Sequence, residues 1–394
     1  MTDRRYALVA GGGTAGHLQP ALAIAEALVD RGHPRASIEF VGSSRGQDRA
    51  VLDGRGFPLT LLPGRGIVRS LSPADLVRNL GALGGLAVGC LRALALVSRT
   101  RPAVVVSVGG YASLPAAVSA VILGVPLVLV NVDAVPGAAN RLLGRFARTA
   151  AVGWEGTPLP RAVVTGTPVR PEIAGVTRTL EDRRSARGAL GLPPDRLTVA
   201  AFGGSLGARR INEAIASLAG LWSEHGDTSI YHVVGRRDWD ESREGNGTGH
   251  SPGEPAGLCY RRVAYEDRMP LVYAAADVVV CRAGAMTVAE LAVAGVPAIL
   301  VPLPGAPSDH QSANARVLER VGAAVLMPDL GCDGHQLSRV LAPLLGDPGR
   351  LEAMGKAAES MGRADAADAG AAVVEDSARV SGATGDRSGT ETQS

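Results

Sequence analysis

The run Ala7-Leu8-Val9-Ala10-Gly11-Gly12-Gly13-Thr14-Ala15-Gly16-His17 decides how this chain folds. Apolar residues without alternation read as a buried strand, the glycines as a turn, and the Ala/Leu-rich residues 20–30 as a helix. A glycine turn between a buried strand and a helix lets the backbone approach a ligand and points free N–H groups at a phosphate. The same design recurs further along. Val104-Val105-Val106-Ser107-Val108 leads into Gly109-Gly110-Tyr111, and Thr198-Val199-Ala200-Ala201-Phe202 leads into Gly203-Gly204-Ser205-Leu206-Gly207. One such turn is weak evidence. Three, split between the two halves, predict two nucleotide-fold domains facing each other across a cleft that holds phosphorylated ligands.

Around these turns the first half alternates strands (6–10, 37–42, 103–108, 127–131) with helical stretches (20–30, 115–123), the βαβ signature of a parallel sheet. Thr165-Gly166-Thr167-Pro168-Val169-Arg170 reads as a domain junction. The pattern restarts with strands at 197–202, 230–234, 278–281 and 298–301 and helices at 208–221 and 287–294. This organisation gives an N-terminal domain over 1–165 and a C-terminal one over 166–345. Residues 236–257 read as a hydrophilic surface loop and 376–394 as a disordered tail.

At 394 residues the chain suits two α/β domains of about 150–200 residues. A hydrophobic content of 46% with only 3% aromatics means cores built from Ala, Val and Leu. The net charge of +2 gives no reason to expect nucleic-acid binding. Cys90, Cys259, Cys281 and Cys332 are scattered without metal-ligand spacing and read as free thiols in a reducing compartment. Met1-Thr2-Asp3-Arg4-Arg5-Tyr6 carries no signal-peptide pattern. Residues 112–130 are uncharged and near membrane-span length, but Pro115 and Gly124-Val125-Pro126 divide them into a short helix and a strand.

Three runs carry candidate chemistry. In the first, His17 opens a helix behind the glycine turn. It reads either as a packed side chain or as a general base, its ordinary pKa near 6.5 suiting removal of a hydroxyl proton. In the second, Cys281-Arg282-Ala283-Gly284-Ala285-Met286-Thr287-Val288-Ala289-Glu290, Gly284 again stands between strand and helix. Glu290 suits the two hydroxyls of a ribose, although Thr287-x-x-Glu290 also spells a capping box that needs no ligand. In the third, a proline-rich loop delivers His310, Gln311 and Asn314 to a helix start, where amides could pair with sugar hydroxyls or with water. Asp238-Trp239-Asp240 resembles a metal-binding Asp-x-Asp but reads as surface.

Taken in order over residues 6–330, these motifs resemble those of the MurG family of peptidoglycan N-acetylglucosaminyltransferases. The resemblance rests on residues 11–17, 109–115, 165–170, 203–209, 282–290 and 309–315. It implies a GT-B fold of two Rossmann-like domains, with a C-terminal helix at about 346–372 packing back on the first. It implies transfer of N-acetylglucosamine from UDP-N-acetylglucosamine to the muramyl 4-hydroxyl of lipid I, giving lipid II with inversion and without metal or cofactor. By position, Arg170, Gly204, Ser205, Glu266, Gly284, Glu290, His310, Gln311 and Asn314 would bind the donor. Thr14, Gly16, Gly110, Tyr111 and Asp133 would bind the acceptor, and His17 would be the base. The implied location is peripheral, on the cytoplasmic face of the cell membrane.

Two departures stand out. Val130-Asn131-Val132-Asp133 replaces the family's usual His-Glu-Gln-Asn or His-Glu-Ala-Asn, and Ala283 replaces a serine. A carboxylate at 133 is electrostatically unfavourable beside an anionic pyrophosphate. These changes keep open a second reading, a paralogue that uses a UDP-sugar on a different acceptor. Finally, Ser72-Pro73-Ala74-Asp75 starts a helix. Leu76, Val77, Leu80, Leu83, Leu86, Leu91 and Leu94, with Arg65, Arg69, Arg78 and Arg92, read either as an ordinary packed face or as a patch resting on anionic lipid.

Overall fold

The computed structural model describes residues 4–12, 15–44, 48–63, 73–204, 208–239 and 257–385, with side chains except at 15, 73–83 and 380–385. Thr14, Ser205, Asp240 and the last nine residues of the expected tail lie outside the described residues. The chain forms two units, Met1–Arg170 with Asp365–Ser394, and Pro171–Ala364.

The first unit is built on β1 (Ala7–Ala10), β2 (Ile38–Ser43), β3 (Leu59–Leu62), β4 (Val104–Ser107), β5 (Leu127–Asn131), β6 (Thr149–Val152) and β7 (Ala162–Val164). All pair in parallel in the order β3-β2-β1-β4-β5-β6-β7. The helices are α1 (Ala15–Asp30), α2 (Asp48–Leu52), α3 (Pro73–Thr100), α4 (Leu114–Ile122) and α5 (Ala138–Leu143). On one face Leu8, Val105 and Leu129 pack with Ala93, Leu96 and Val97 of α3 and with Ala116 and Ala120 of α4. The stretch 112–130 is divided as its prolines require, into α4 and β5. Among the described residues no helix is long and apolar enough to cross a membrane.

The second unit contains β8 (Leu197–Phe202), β9 (Thr228–Val233), β10 (Cys259–Val263), β11 (Val278–Cys281), β12 (Ala298–Leu300) and β13 (Ala324–Leu326). They too are all parallel, in the order β10-β9-β8-β11-β12-β13. Its helices are α6 (Pro171–Ala174), α7 (Leu180–Ala189), α8 (Arg209–Leu221), α9 (Met269–Ala275), α10 (Ala285–Val293), α11 (His310–Arg320), α12 (Gly334–Leu345) and α13 (Pro348–Met361). Val199, Ile230 and Val280 pack under Ile215 and Leu218 of α8 and Leu337 and Leu341 of α12.

Three features differ from the sequence reading. First, α1 starts at Ala15, with Pro20 inside it. Second, residues 346–372 are not one helix. They are α13, which stays with the second unit, and the start of α14 (Ala366–Gly385), which belongs to the first and packs on α1, β4, β5 and β6. Third, the sequence reading ended order at 376, yet α14 runs on to Gly385 because Glu375 is drawn in. Its carboxylate accepts from Arg31 Nη2 (3.0 Å) and pairs with His33 Nε2 (2.8 Å) on the first unit. The unit boundary falls after Arg170 rather than 165, and the second unit runs to Ala364 rather than 345.

Candidate active site

In a doubly wound sheet, ligands bind beyond the carboxyl ends of the strands, at the point where strand order reverses. Here those points are β1/β4 in the first unit and β8/β11 in the second. All three glycine turns and the Gly284 turn leave from those four strands.

In the first unit Gly109 and Gly110 have φ of 93° and 75°, which only glycine adopts readily, and they run close to the His17 ring. A Cβ on Gly109 would stand 3.4 Å from His17 Cδ2, and one on Gly110 3.4 Å from Cε1. His17 is half-buried in the first turn of α1, beside Gly16. Tyr111 donates to or accepts from Ser43 Oγ through its hydroxyl at 3.0 Å. His17, Gly16, Gly110 and Tyr111 are therefore gathered at one switch point.

The departing segment is mostly internal. Val130, Asn131 and Val132 are buried, and only Asp133 is half-exposed. Asn131 Nδ2 donates to the Asp133 carbonyl (2.6 Å), and Trp154 Nε1 donates to the Val132 carbonyl (3.2 Å). A residue missed in the sequence organises this corner. Asn140 of α5 donates from Nδ2 to the Val130 carbonyl (3.2 Å) and to Asn131 Oδ1 (3.1 Å). Its own Oδ1 is buried with no protein partner among the described residues.

In the second unit Gly204 has φ 85° and is exposed beyond β8. Gly284 is the N-cap of α10, with extended backbone and no side-chain cap. Thr287 is thus the third residue of the helix, and the capping box spelled by the sequence does not form. Glu290 instead accepts the Tyr273 hydroxyl at Oε2 (2.7 Å). Asn314 is fully buried and donates to the Ala283 carbonyl (3.3 Å), which joins α11 to the Gly284 turn. Gln311 Oε1 accepts the Leu303 N–H (2.9 Å), and His310 Nδ1 donates to the Pro307 carbonyl (2.7 Å). Ahead of α11, Ser308 and Asp309 both sit in left-handed backbone, at φ 56° and 51°. Two such non-glycine residues in a row cost about 1–2 kcal/mol each, the sort of strain held at functional loops.

Arg282, named in the sequence only as part of a run, clamps this corner. Its Nη1 donates to the Val301 and Pro302 carbonyls and to Asp329 Oδ1 (2.6 Å). Glu266 is buried and fully engaged by Tyr231 and by Arg268. Burial pushes its pKa up, but those hydrogen bonds outweigh burial and hold it below the usual carboxylate value. Its side chain is therefore a pin for the loop after β10. Arg170 is the last residue of the first unit's N-terminal stretch. Asp238 is not simply surface: its carboxylate accepts from Asn212 Nδ2 (3.1 Å) and pairs with Arg237.

Two doubly wound units with glycine turns at both switch points are the GT-B fold, and the family match makes the chain a glycosyltransferase. The chain matches the glycosyltransferase family 28 N-terminal domain over residues 7–152 and the family 28 C-terminal domain over 198–369. A UDP-N-acetylglucosamine--N-acetylmuramyl-(pentapeptide) pyrophosphoryl-undecaprenol N-acetylglucosamine transferase of Desulforudis audaxviator is 39% identical, covering 92% of this chain and 95% of its own. A protein of the same name from Nocardioides sp. is 41% identical, covering 90% and 93%. The crystal structure of Acinetobacter baumannii MurG superposes with a TM-score of 0.74 at 26% identity, covering 94% of this chain and 99% of that one. The chain belongs to the MurG family.

Proposed function

We propose that this enzyme transfers N-acetylglucosamine from UDP-N-acetylglucosamine to the muramyl 4-hydroxyl of lipid I, forming lipid II with inversion at the anomeric carbon. The observation that carries the reading is the gathering of His17, Gly110 and Tyr111 at the switch point of the first unit. The names of the relatives supply donor and acceptor. Thr14, Gly16, Gly110, Tyr111 and Asp133 would receive the acceptor, its pyrophosphate lying against the glycine turns. His17 would take the proton of the attacking hydroxyl. Gly204, Ser205 and the N-terminus of α10 at Gly284 would face the donor diphosphate and neutralise the charge that grows on departing UDP. Glu290, oriented by Tyr273, would hold the ribose. His310, Gln311 and Asn314 would shape the sugar pocket, the main chain at Glu266 would meet the uracil, and Arg170 would reach the donor from the junction.

A lipid-linked acceptor calls for a membrane surface, so we place the enzyme on the cytoplasmic face of the cell membrane. Along α3, Ala93, Leu96 and Val97 are buried, whereas Val88 and Leu91 are 44% and 69% exposed beside exposed Arg92. An apolar strip flanked by arginine on the outward side of a long helix suits anionic lipid.

The test is UDP release by wild type and His17→Ala with a soluble lipid I analogue, with UDP-N-acetylglucosamine binding followed by calorimetry. Loss of a general base predicts a fall in kcat of about 100-fold or more with donor affinity retained. Near-normal turnover by the variant would remove His17 from this role.

A further inference from the structure

Asp48 is the first residue of α2 and only 1% exposed. Its Oδ2 accepts the Ser43 N–H at 2.6 Å, a short charge-assisted bond at the end of β2. A Cβ on Gly12 would lie 2.4 Å from the same oxygen, and one on Gly42 2.6 Å from it. The carboxylate therefore fills the space that side chains at 12 and 42 would need. A side chain at either glycine would displace this acid. Burying a carboxylate is costly unless its oxygens are bonded, so the group is held where its bonds are made.

The position of that acid is the point. Gly12 belongs to the turn that leads into His17, and Ser43 continues through its Oγ to the Tyr111 hydroxyl at 3.0 Å. Tyr111 in turn follows Gly110, where a Cβ would meet both the His17 ring at 3.4 Å and the Gly12 carbonyl at 3.5 Å. One buried carboxylate thus touches the exits of β1 and β2 and reaches that of β4, three neighbouring strands at the switch point.

We infer that Asp48 is a positioning residue for the acceptor half of the reaction, fixing the Gly11-Gly12 turn directly and the Tyr111 hydroxyl through Ser43. This rests on the function proposed above. Asp48 itself touches neither substrate. It holds the turn and the phenol near His17 so that the acceptor hydroxyl meets the base in line.

The experiment is steady-state kinetics of Asp48→Asn and Ser43→Ala with a soluble lipid I analogue and UDP-N-acetylglucosamine, alongside melting curves. Asp48→Asn keeps the shape but removes the charge and half the accepting capacity. It is expected to lower kcat by about tenfold or more, as misplacement of reacting groups does, while the donor KM stays within about twofold. Ser43→Ala leaves the backbone N–H that Asp48 accepts in place and removes the hydroxyl that meets Tyr111. It is expected to raise the acceptor KM about threefold at an unchanged donor KM. A folded Asp48→Asn enzyme with wild-type kcat, or donor and acceptor KM rising together, would overturn the inference. Should Asp48→Asn not fold, Ser43→Ala decides alone, an unchanged acceptor KM counting against it. A wild-type enzyme that ignores lipid I would instead defeat the functional reading.

Discussion

Glu290 shows what a single residue's spacing can and cannot say. Thr287-x-x-Glu290 fits a capping box on paper, but the helix begins at Ala285, so Thr287 is already inside it and Glu290 turns to Tyr273. Removing that hydroxyl in Tyr273→Phe should raise the UDP-N-acetylglucosamine KM about fivefold, the worth of one hydrogen bond, with little change in acceptor KM. Titration of UDP binding would measure it. Asp48, Asn140 and Arg282 escaped notice because their partners are set by the fold. Arg282 meets Asp329, 47 positions away, and no local pattern announces such a pair. His232 is a further case. It is 1% exposed, donates from Nε2 to Asn212 Oδ1 and accepts the Tyr260 hydroxyl at Nδ1, each at 2.9 Å. Burial, helped by Arg262, pushes its pKa down to about 3 from an ordinary 6.5. Between those values the unfolded chain takes up a proton that the folded chain refuses, so stability is full above pH 6.5 and falls as pH drops below it. The loss is about 1.4 kcal/mol per pH unit. Glu375 is held low by its hydrogen bond from Arg31, so its own contribution fades only in more acid solution. Melting midpoints from pH 6.5 to 5 should therefore fall more steeply in wild type than in His232→Gln. Parallel slopes would show that His232 is not the group responsible.

Among the elements, those carrying glycine turns were the easiest to read. A buried parallel strand is a run of apolar residues and a turn needs glycine, so β1, β4, β8 and the strand before Gly284 stand out in the sequence. Short outer strands such as β7, whose three residues are exposed, leave no such trace. The C-terminal helices were misjudged for a related reason: α14 is fixed by Arg31 and His33 rather than by its own periodicity. On α3 the sequence left a packed face and a lipid-facing strip as rival readings; the helix buries Ala93, Leu96 and Val97 and exposes Val88 and Leu91, while the side chains of Leu76, Val77, Leu80 and Leu83 lie outside the described residues. Replacing Val88 and Leu91 with serine removes outward apolar surface only. It should weaken binding to anionic vesicles about tenfold or more while the melting temperature and UDP binding hold, since about 0.8 kcal/mol is lost per CH₂ withdrawn from lipid. Sedimentation with vesicles would test this, and undiminished binding would place the membrane contact elsewhere.

For the molecule as a whole, strand order is the deciding fact. Each unit reverses direction once, and each reversal is where its glycine turns emerge. That logic was visible in the sequence because apolar run, glycine turn and helix repeat in both halves. The boundaries were less visible, since a junction such as residues 165–170 has turn residues throughout and nothing local marks Arg170 as its end. Of the departures in Val130-Asn131-Val132-Asp133, three are absorbed into the interior, leaving Asp133 as the group able to alter what the acceptor meets. The account therefore stands or falls on the acceptor. The decisive measurement is transfer of radiolabel from UDP-N-acetylglucosamine to a soluble lipid I analogue, with the product resolved and its new linkage assigned. The account predicts a lipid-linked, β-configured disaccharide formed in step with UDP. Donor binding without any labelled lipid product would contradict it and point to a different acceptor.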